Sequence, residues 1–265
     1  MDPFQNVANN LLEKVLTYTQ RSYAPYSGRM EAVIILLEDG SFIPGVRVEN
    51  ASFQLSISAL LNAFTTAFSL GRKDISAVIS SAPFSESELA YTSALPGYSW
   101  ELVGSQLLLV AGAHLPEPTE AVEITKHVDH FDPQRGVELA RTASHQALIP
   151  QSNFPVGCAI AFPSGEVITG ANVEHSDWSQ ILCAERNALY TAISYGLGET
   201  KAIYVSCPKL PGGTPCGACR QVIVELAPHA TVWMDLGSDD PASMKATELL
   251  PGHFSGDVLK RTQKS

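Results

Sequence analysis

Apolar residues recur along this chain with two periods, helical and strand-like, and the periods succeed one another in the same order twice. In the first half, helical spacing over 4–20 is followed by apolar runs at 32–37 and 42–48 that predict strands. Helical spacing over 56–70 and a short strand pattern over 76–80 come next. In the second half the pattern predicts a helix over 135–146 and strands over 156–162 and 167–173, joined as a hairpin at Pro163-Ser164-Gly165. An amphipathic helix over 182–195, stopped by Gly196, precedes a buried strand at 202–206, a helix at 218–226 and a strand at 231–235. The counterpart of that last helix in the first half is interrupted by Pro96-Gly97. Each half therefore reads as an α/β unit.

The two halves are also related residue by residue. At an offset of 125, ten of the 27 positions from Gly45 to Gly71 are identical to those from Gly170 to Gly196, without a gap. The same offset pairs Pro25 with Pro150, Ser27 with Ser152, Gly40 with Gly165 and Pro83 with Pro208. A duplicated domain follows. The boundaries expected are 1–112 for the first copy, 113–133 for a linker rich in proline and acidic residues, and 134–265 for the second copy. His127 and His130 fall in that linker and read as solvated residues.

Candidate chemistry is confined to the second copy. Cys183-Ala184-Glu185-Arg186 and, about thirty residues later, Pro215-Cys216-Gly217-Ala218-Cys219-Arg220-Gln221 offer three thiolates for one metal ion. A carboxylate, Glu185, stands beside the first ligand without being needed as one, and the fourth tetrahedral position is left for water. Zinc nucleobase deaminases use this arrangement. Cys216-x-x-Cys219 by itself also fits a redox dithiol or half of a structural zinc clip. A structural site needs a fourth ligand, and Cys158, Cys207 and His175 offer no convincing pairing. Through the offset, Cys183 falls on Ser58, Glu185 on Leu60, Arg186 on Leu61, Cys216 on Tyr91, Cys219 on Ala94 and Asn172 on Arg47. The first copy keeps the fold pattern and lacks the metal-site residues, so one zinc ion per chain is expected. Trp178 falls opposite Phe53 and reads as packing.

Composition narrows the function classes. With 265 residues, 45% of them hydrophobic and 17% charged, the chain buries one large or two ordinary cores. A formal net charge of -10 argues against a protein that tracks a phosphate backbone. No apolar run reaches the roughly twenty residues of a membrane helix, and Met1-Asp2-Pro3 opens no secretory signal. Five cysteines, three of them wanted as thiolates, fit a reducing compartment. A cytoplasmic protein with no nucleic-acid or membrane partner is expected.

The chain resembles the cytidine deaminase family that acts on free nucleosides. The resemblance lies in Ser152-Asn153-Phe154-Pro155-Val156-Gly157, in Gly170-Ala171-Asn172-Val173-Glu174, in both cysteine clusters, and in Leu249-Leu250-Pro251-Gly252-His253-Phe254. It implies two tandem cytidine-deaminase-like domains, each a three-layer α/β/α arrangement with a mixed sheet packed by helices. It also implies hydrolytic deamination of cytidine and 2'-deoxycytidine to the uridines and ammonia, in pyrimidine salvage. Zinc-bound hydroxide would attack C4, with Glu185 as proton shuttle and Cys183, Cys216 and Cys219 as zinc ligands. The resemblance further implies that Asn172 and Glu174 hydrogen-bond the ribose, that Phe154 packs on the base, and that the Ala184 N–H and Thr214 carbonyl meet the reacting ring edge. Arg186, assisted by Gln221, would offset the thiolate charge, and Phe254 is a candidate for contact across subunits. Duplicated members of the family are homodimers with a pseudo-tetrameric arrangement of domains, so the same is expected here. A deaminase of cytosine in single-stranded polynucleotide and a non-catalytic zinc or nucleoside-binding protein are the alternatives.

Overall fold

The sequence of apolar runs closes into two sheets, each covered by helices on both faces. A computed structural model describes residues 3–128, 131–238 and 240–262. In the first half, helix α1 (Pro3–Tyr18) leads into strands β1 (Ala32–Leu37) and β2 (Phe42–Val46), helix α2 (Ala59–Ser69), strand β3 (Ile75–Ser80), helix α3 (Glu86–Ser93), and strands β4 (Trp100–Val103) and β5 (Leu107–Val110). β1 is buried along its whole length because alternate side chains serve different helices. Ile34 and Leu36 join the core that holds Val7, Leu11 and Val15 of α1, whereas Val33, Ile35 and Leu37 join Ala63, Phe64 and Ala67 of α2.

The second half begins with β6 (Lys126–His127) and continues through α4 (Pro133–Ala143), β7 (Gly157–Ala161), β8 (Glu166–Ala171), α5 (Ala184–Tyr195), β9 (Ala202–Ser206), α6 (Gly217–Leu226), β10 (Thr231–Met234), β11 (Ala242–Lys245), α7 (Ala246–Leu249) and α8 (Asp257–Thr262). Arg141 of α4 forks onto Asp235 at 2.8 and 3.0 Å, and Ser206 Oγ donates to the same carboxylate at 2.7 Å. One buried acid thereby ties a helix to the ends of two strands.

The second sheet, in the order β11-β10-β9-β7-β8-β6, is mixed, because α6 carries the chain back over it and lays β10 parallel to β9. The first sheet, in the order β2-β1-β3-β5-β4, is antiparallel throughout, which corrects the expectation of a mixed sheet in each half. Here α3 ends before Pro96-Gly97 and a β4–β5 hairpin, turning at Gly104, returns a strand antiparallel to β3. The stretch read as a linker is also more ordered than expected. Thr119 and Val122 N–H groups bond to Gly40 and Phe42 carbonyls beside β2, and β6 then extends the edge of the second sheet. His127 lies in β6, and His130 lies outside the described residues.

α2 and α5 pack against each other at the junction of the two halves. Thr66 and Thr191, equivalent at the offset of 125, share a hydrogen bond of 2.7 Å between their hydroxyls, so the pseudo-twofold axis passes between them. Asn62 Nδ2 crosses the same junction to Ser194 Oγ at 2.9 Å. Gly45 and Gly170, another equivalent pair, let β2 and β8 approach these helices. A Cβ on Gly170 would stand 2.9 Å from Ala188 N and 3.0 Å from Ala184 O, and one on Gly45 would stand 2.7 Å from the Ala63 Cα.

Candidate active site

Two helices begin on cysteine. Cys183 occupies the N-cap of α5 and Cys216 the N-cap of α6, both with extended backbone and neither with its side chain spent on the helix. In the first half, the hydroxyls of Ser58 and Ser85 cap α2 and α3 by accepting from Leu61 N and Glu88 N. The helix starts are the same in both halves, and only in the second are the cap atoms released for other work. Cys219 follows one turn into α6, fully buried. The three Sγ atoms lie within 4.8 Å of one another, and Cys183 and Cys216 are 3.9 Å apart. Tetrahedral zinc with bonds of about 2.3 Å to sulfur places its thiolates about 3.8 Å apart, so the donor set fits that ion.

The electrostatics suit a cation as well. Hydrogen bonds from the Cys183 and Cys219 thiols lower the pKa of Cys216, while the bond to Cys216 raises that of Cys183. A cation bound by the three sulfurs would displace the protons that remain on them. Arg186 Nη2 lies 3.9 Å from Cys183 Sγ and 3.3 Å from the Ile181 carbonyl. Burial opposes the guanidinium charge, yet attraction to Cys183 and Cys219 raises its pKa. Glu185, on the first turn of α5, is only 3% exposed, and burial pushes its carboxyl above the usual range. Ala184 is buried between them.

The flanking loops are braced by residues the sequence singled out. Asn172 accepts from Val156 N at 2.8 Å and donates to the Phe154 carbonyl at 3.0 Å, clamping the backbone on either side of Pro155. Glu174 accepts from Gln151 N and Ser152 N at 2.8 and 3.1 Å. Burial works against its charge, but these bonds and the Ser152 hydroxyl hold its pKa below the usual range. Glu49, its equivalent, braces the Tyr26-Ser27 backbone in the same way, so bracing belongs to the fold as well as to the site. Asn153 takes φ of 52°, a left-handed conformation that Gly28 supplies in the first copy. Its carbonyl accepts from Lys209 Nζ.

Three expectations are corrected. Gln221 Nε2 donates to the Phe254 carbonyl at 3.1 Å and not to a ligand sulfur, because it lies on the face of α6 covered by the C-terminal segment. Tyr91 and Ala94 do not stand where Cys216 and Cys219 stand. The connection from β3 to α3 is shorter than that from β9 to α6, so aligning the helix starts puts Ser85 and Glu88 in those places, and Tyr91 stacks on His175 with centroids 4.5 Å apart. Phe53 and Trp178 are 80% and 68% exposed and do not pack within the chain. Cys158 and Cys207 are buried thiols outside the metal cluster, and Phe254 is 54% exposed.

Arg220, which follows Cys219 in the second cysteine cluster, braces the backbone before it. Its guanidinium binds the Pro215 carbonyl at 2.7 Å and Thr214 Oγ1 at 2.8 Å, which fixes the loop leading into Cys216. Its position four residues after Cys216, one turn back toward that loop, is the signal that finds it. The first half reaches this region too, where the Tyr190 hydroxyl donates to the Leu55 carbonyl at 2.8 Å.

Fold and donor set together define a zinc-dependent deaminase domain, present as one complete and one degenerate copy. Comparison with known proteins agrees. Two family models described as the cytidine and deoxycytidylate deaminase zinc-binding region match residues 2–94 and 132–235. A cytidine deaminase of Halalkalibacterium halodurans is 39% identical over 130 residues, which is 49% of this chain and 98% of that protein. One of Sporosarcina psychrophila is 36% identical over 49% of this chain and 96% of its own length. A solved cytidine deaminase of Burkholderia pseudomallei is 36% identical, spans 47% of this chain and all of its own, and has a TM-score of 0.45. The chain belongs to the cytidine and deoxycytidylate deaminase family of zinc-binding proteins, in a duplicated form.

Proposed function

We propose that this chain hydrolyses cytidine and 2'-deoxycytidine to the corresponding uridines and ammonia, within pyrimidine salvage. The observation that carries the reading is the buried Glu185 set directly beside a three-thiolate cluster at two helix N-termini. Cys183, Cys216 and Cys219 would hold zinc, which supplies Lewis acidity and an acidified water when bound. The chain's own groups do the rest. Glu185 takes a proton from the attacking water and passes it to N3 of the cytosine ring as C4 becomes tetrahedral. It then delivers a proton to the departing amine, so that ammonia leaves and a carbonyl remains. The Ala184 N–H and the Thr214 carbonyl meet the ring edge, the latter on a loop that Arg220 steadies. Phe154 packs on the base from a segment that Asn172 holds in place, and Asn172 with Glu174 receives the ribose.

Within the described residues no helix is long and apolar enough to cross a membrane. A small nucleoside substrate fits both the family and the acidic net charge of -10. An ultraviolet assay with cytidine, deoxycytidine, adenosine and cytosine tests the reading. Turnover of the first two alone is expected, and no turnover of either overturns it.

Arg186 offsets the negative charge of zinc held by three thiolates. The Arg186→Gln variant is therefore expected to lose roughly 10–100-fold in metal affinity or activity with little change in thermal stability. Competition against a chelator measures this, and an unchanged affinity together with an unchanged pH–rate profile rejects the charge argument.

Only the second copy carries the thiolates, so one zinc ion per chain is expected. Exposed Phe53 and Trp178, related by the internal offset, offer apolar surface for a second chain. A homodimer of about 57 kDa, twice the 28.4 kDa of one chain, is expected, with Phe254 reaching toward the neighbouring subunit. Elemental analysis and light scattering check both parts. Two zinc ions per chain contradict the degenerate copy, and an active monomer contradicts the dimer.

A further inference from the structure

The first copy retains a cavity where its chemistry has gone. It measures about 450 Å³, within the size of small-molecule sites. Its lining includes Ser58, Leu60 and Arg47, the offset equivalents of Cys183, Glu185 and Asn172. Arg29 stands where the second copy has Phe154, and Ser85 and Glu88 stand, by helix start, where it has Cys216 and Cys219. Six positions that hold metal, acid–base group or substrate in one copy thus face a cavity in the other. The substitutions change what that cavity recognises. An aromatic and an amide have become two arginines, while the acid–base carboxylate has become leucine. Each arginine meets its carboxylate through Nε, Arg29 to Glu31 at 2.6 Å and Arg47 to Glu49 at 3.1 Å. The remaining acid of the wall, Glu88, is folded back onto the backbone N–H and hydroxyl of Ser85. From the second copy Arg186 completes the lining, with its Nε buried and without a hydrogen-bond partner.

We propose that this cavity binds a nucleoside phosphate without turning it over. The nucleoside part rests on the deaminase reading of the equivalent site. The phosphate part rests on Arg29 and Arg47, whose planar guanidinium groups suit phosphate oxygens. Leu60 supplies no proton transfer and the two serines supply no zinc site, so the ligand is held unchanged.

Isothermal titration of the zinc-loaded protein with cytidine 5'-monophosphate and inorganic phosphate tests this, beside the Arg29→Ala and Arg47→Ala variants. The monophosphate is expected to bind more tightly than inorganic phosphate. Each variant is expected to weaken it roughly tenfold or more, the loss typical of a charged hydrogen bond, while cytidine turnover stays at the wild-type level and shows that the variants are folded. Monophosphate affinity that is unchanged in both variants, or no greater than that of inorganic phosphate, overturns the proposal. If wild-type protein fails to turn over cytidine, the deaminase reading falls, and the titration still reports on the cavity.

Discussion

Replacing Glu185 with alanine is expected to lower cytidine turnover by at least the roughly 10²–10⁴-fold that one positioned acid–base group supplies, while zinc content and fold persist. The structure separates these effects. Glu185 is on the first turn of α5, buried, and not among the three sulfurs, so its loss leaves the donor set intact. Alanine favours the helix and removes a carboxyl whose burial is unfavourable to its charge, so thermal stability is expected to hold or rise. In the proposed mechanism one group handles successive proton transfers, so Glu185→Gln is expected to be nearly as inactive, although it preserves volume. Steady-state kinetics and zinc analysis on the two variants check the claim. Near-normal turnover by either one removes Glu185 from the mechanism.

Loss of one ligand is expected to act differently. Cys219→Ser should lower zinc affinity by more than the roughly 10–100-fold of an outer-shell change, and turnover should vanish with the metal. Cys219 is fully buried on α6 beside Val222 and Ile223 in the core that the second copy builds on β7 and β9. A weaker metal site therefore also weakens the attachment of that helix, since binding free energy at such a site contributes to folding. Unfolding followed with and without added zinc distinguishes the two chains. The wild-type midpoint should rise with zinc and the variant's should respond far less. Ser58→Ala in the first copy is the contrast, costing about 0.5–2 kcal/mol as a lost helix cap and leaving zinc content unchanged. Full zinc occupancy in Cys219→Ser would remove this residue from the site.

Helices and strands with strong periodicity were legible in the sequence. β1, β7, β9, α2 and α5 match the expected runs closely, because one-sided or two-sided burial of Ile, Val, Leu and Ala leaves a clear spacing. β4 was missed since it is a four-residue, mostly exposed edge strand, Trp100-Glu101-Leu102-Val103, too short to set a period. β6 and β11 were missed for the same reason, being short and exposed at sheet edges. The metal cluster was legible because cysteine spacing after a helix start is a local signal. The counterpart of Cys216 was misassigned, because a loop of different length breaks an ungapped offset and only the helix starts restore it. The work of Arg220, Gln221 and Asn172 in bracing backbone was not legible, since hydrogen-bond partners depend on which loops meet.

Serine and cysteine differ by one atom, and here that atom decides which half of the protein answers to its surroundings. Where oxygen caps α2 and α3, the helix starts are complete in themselves. Where sulfur stands at the start of α5 and α6, no side chain completes them, and an ion must be supplied from outside. By mass action the helix starts of the second half then become firmer or looser with the free zinc of the environment, while those of the first half carry their own caps. A cell short of zinc would hold molecules that open first at the starts of α5 and α6, where a protease could enter.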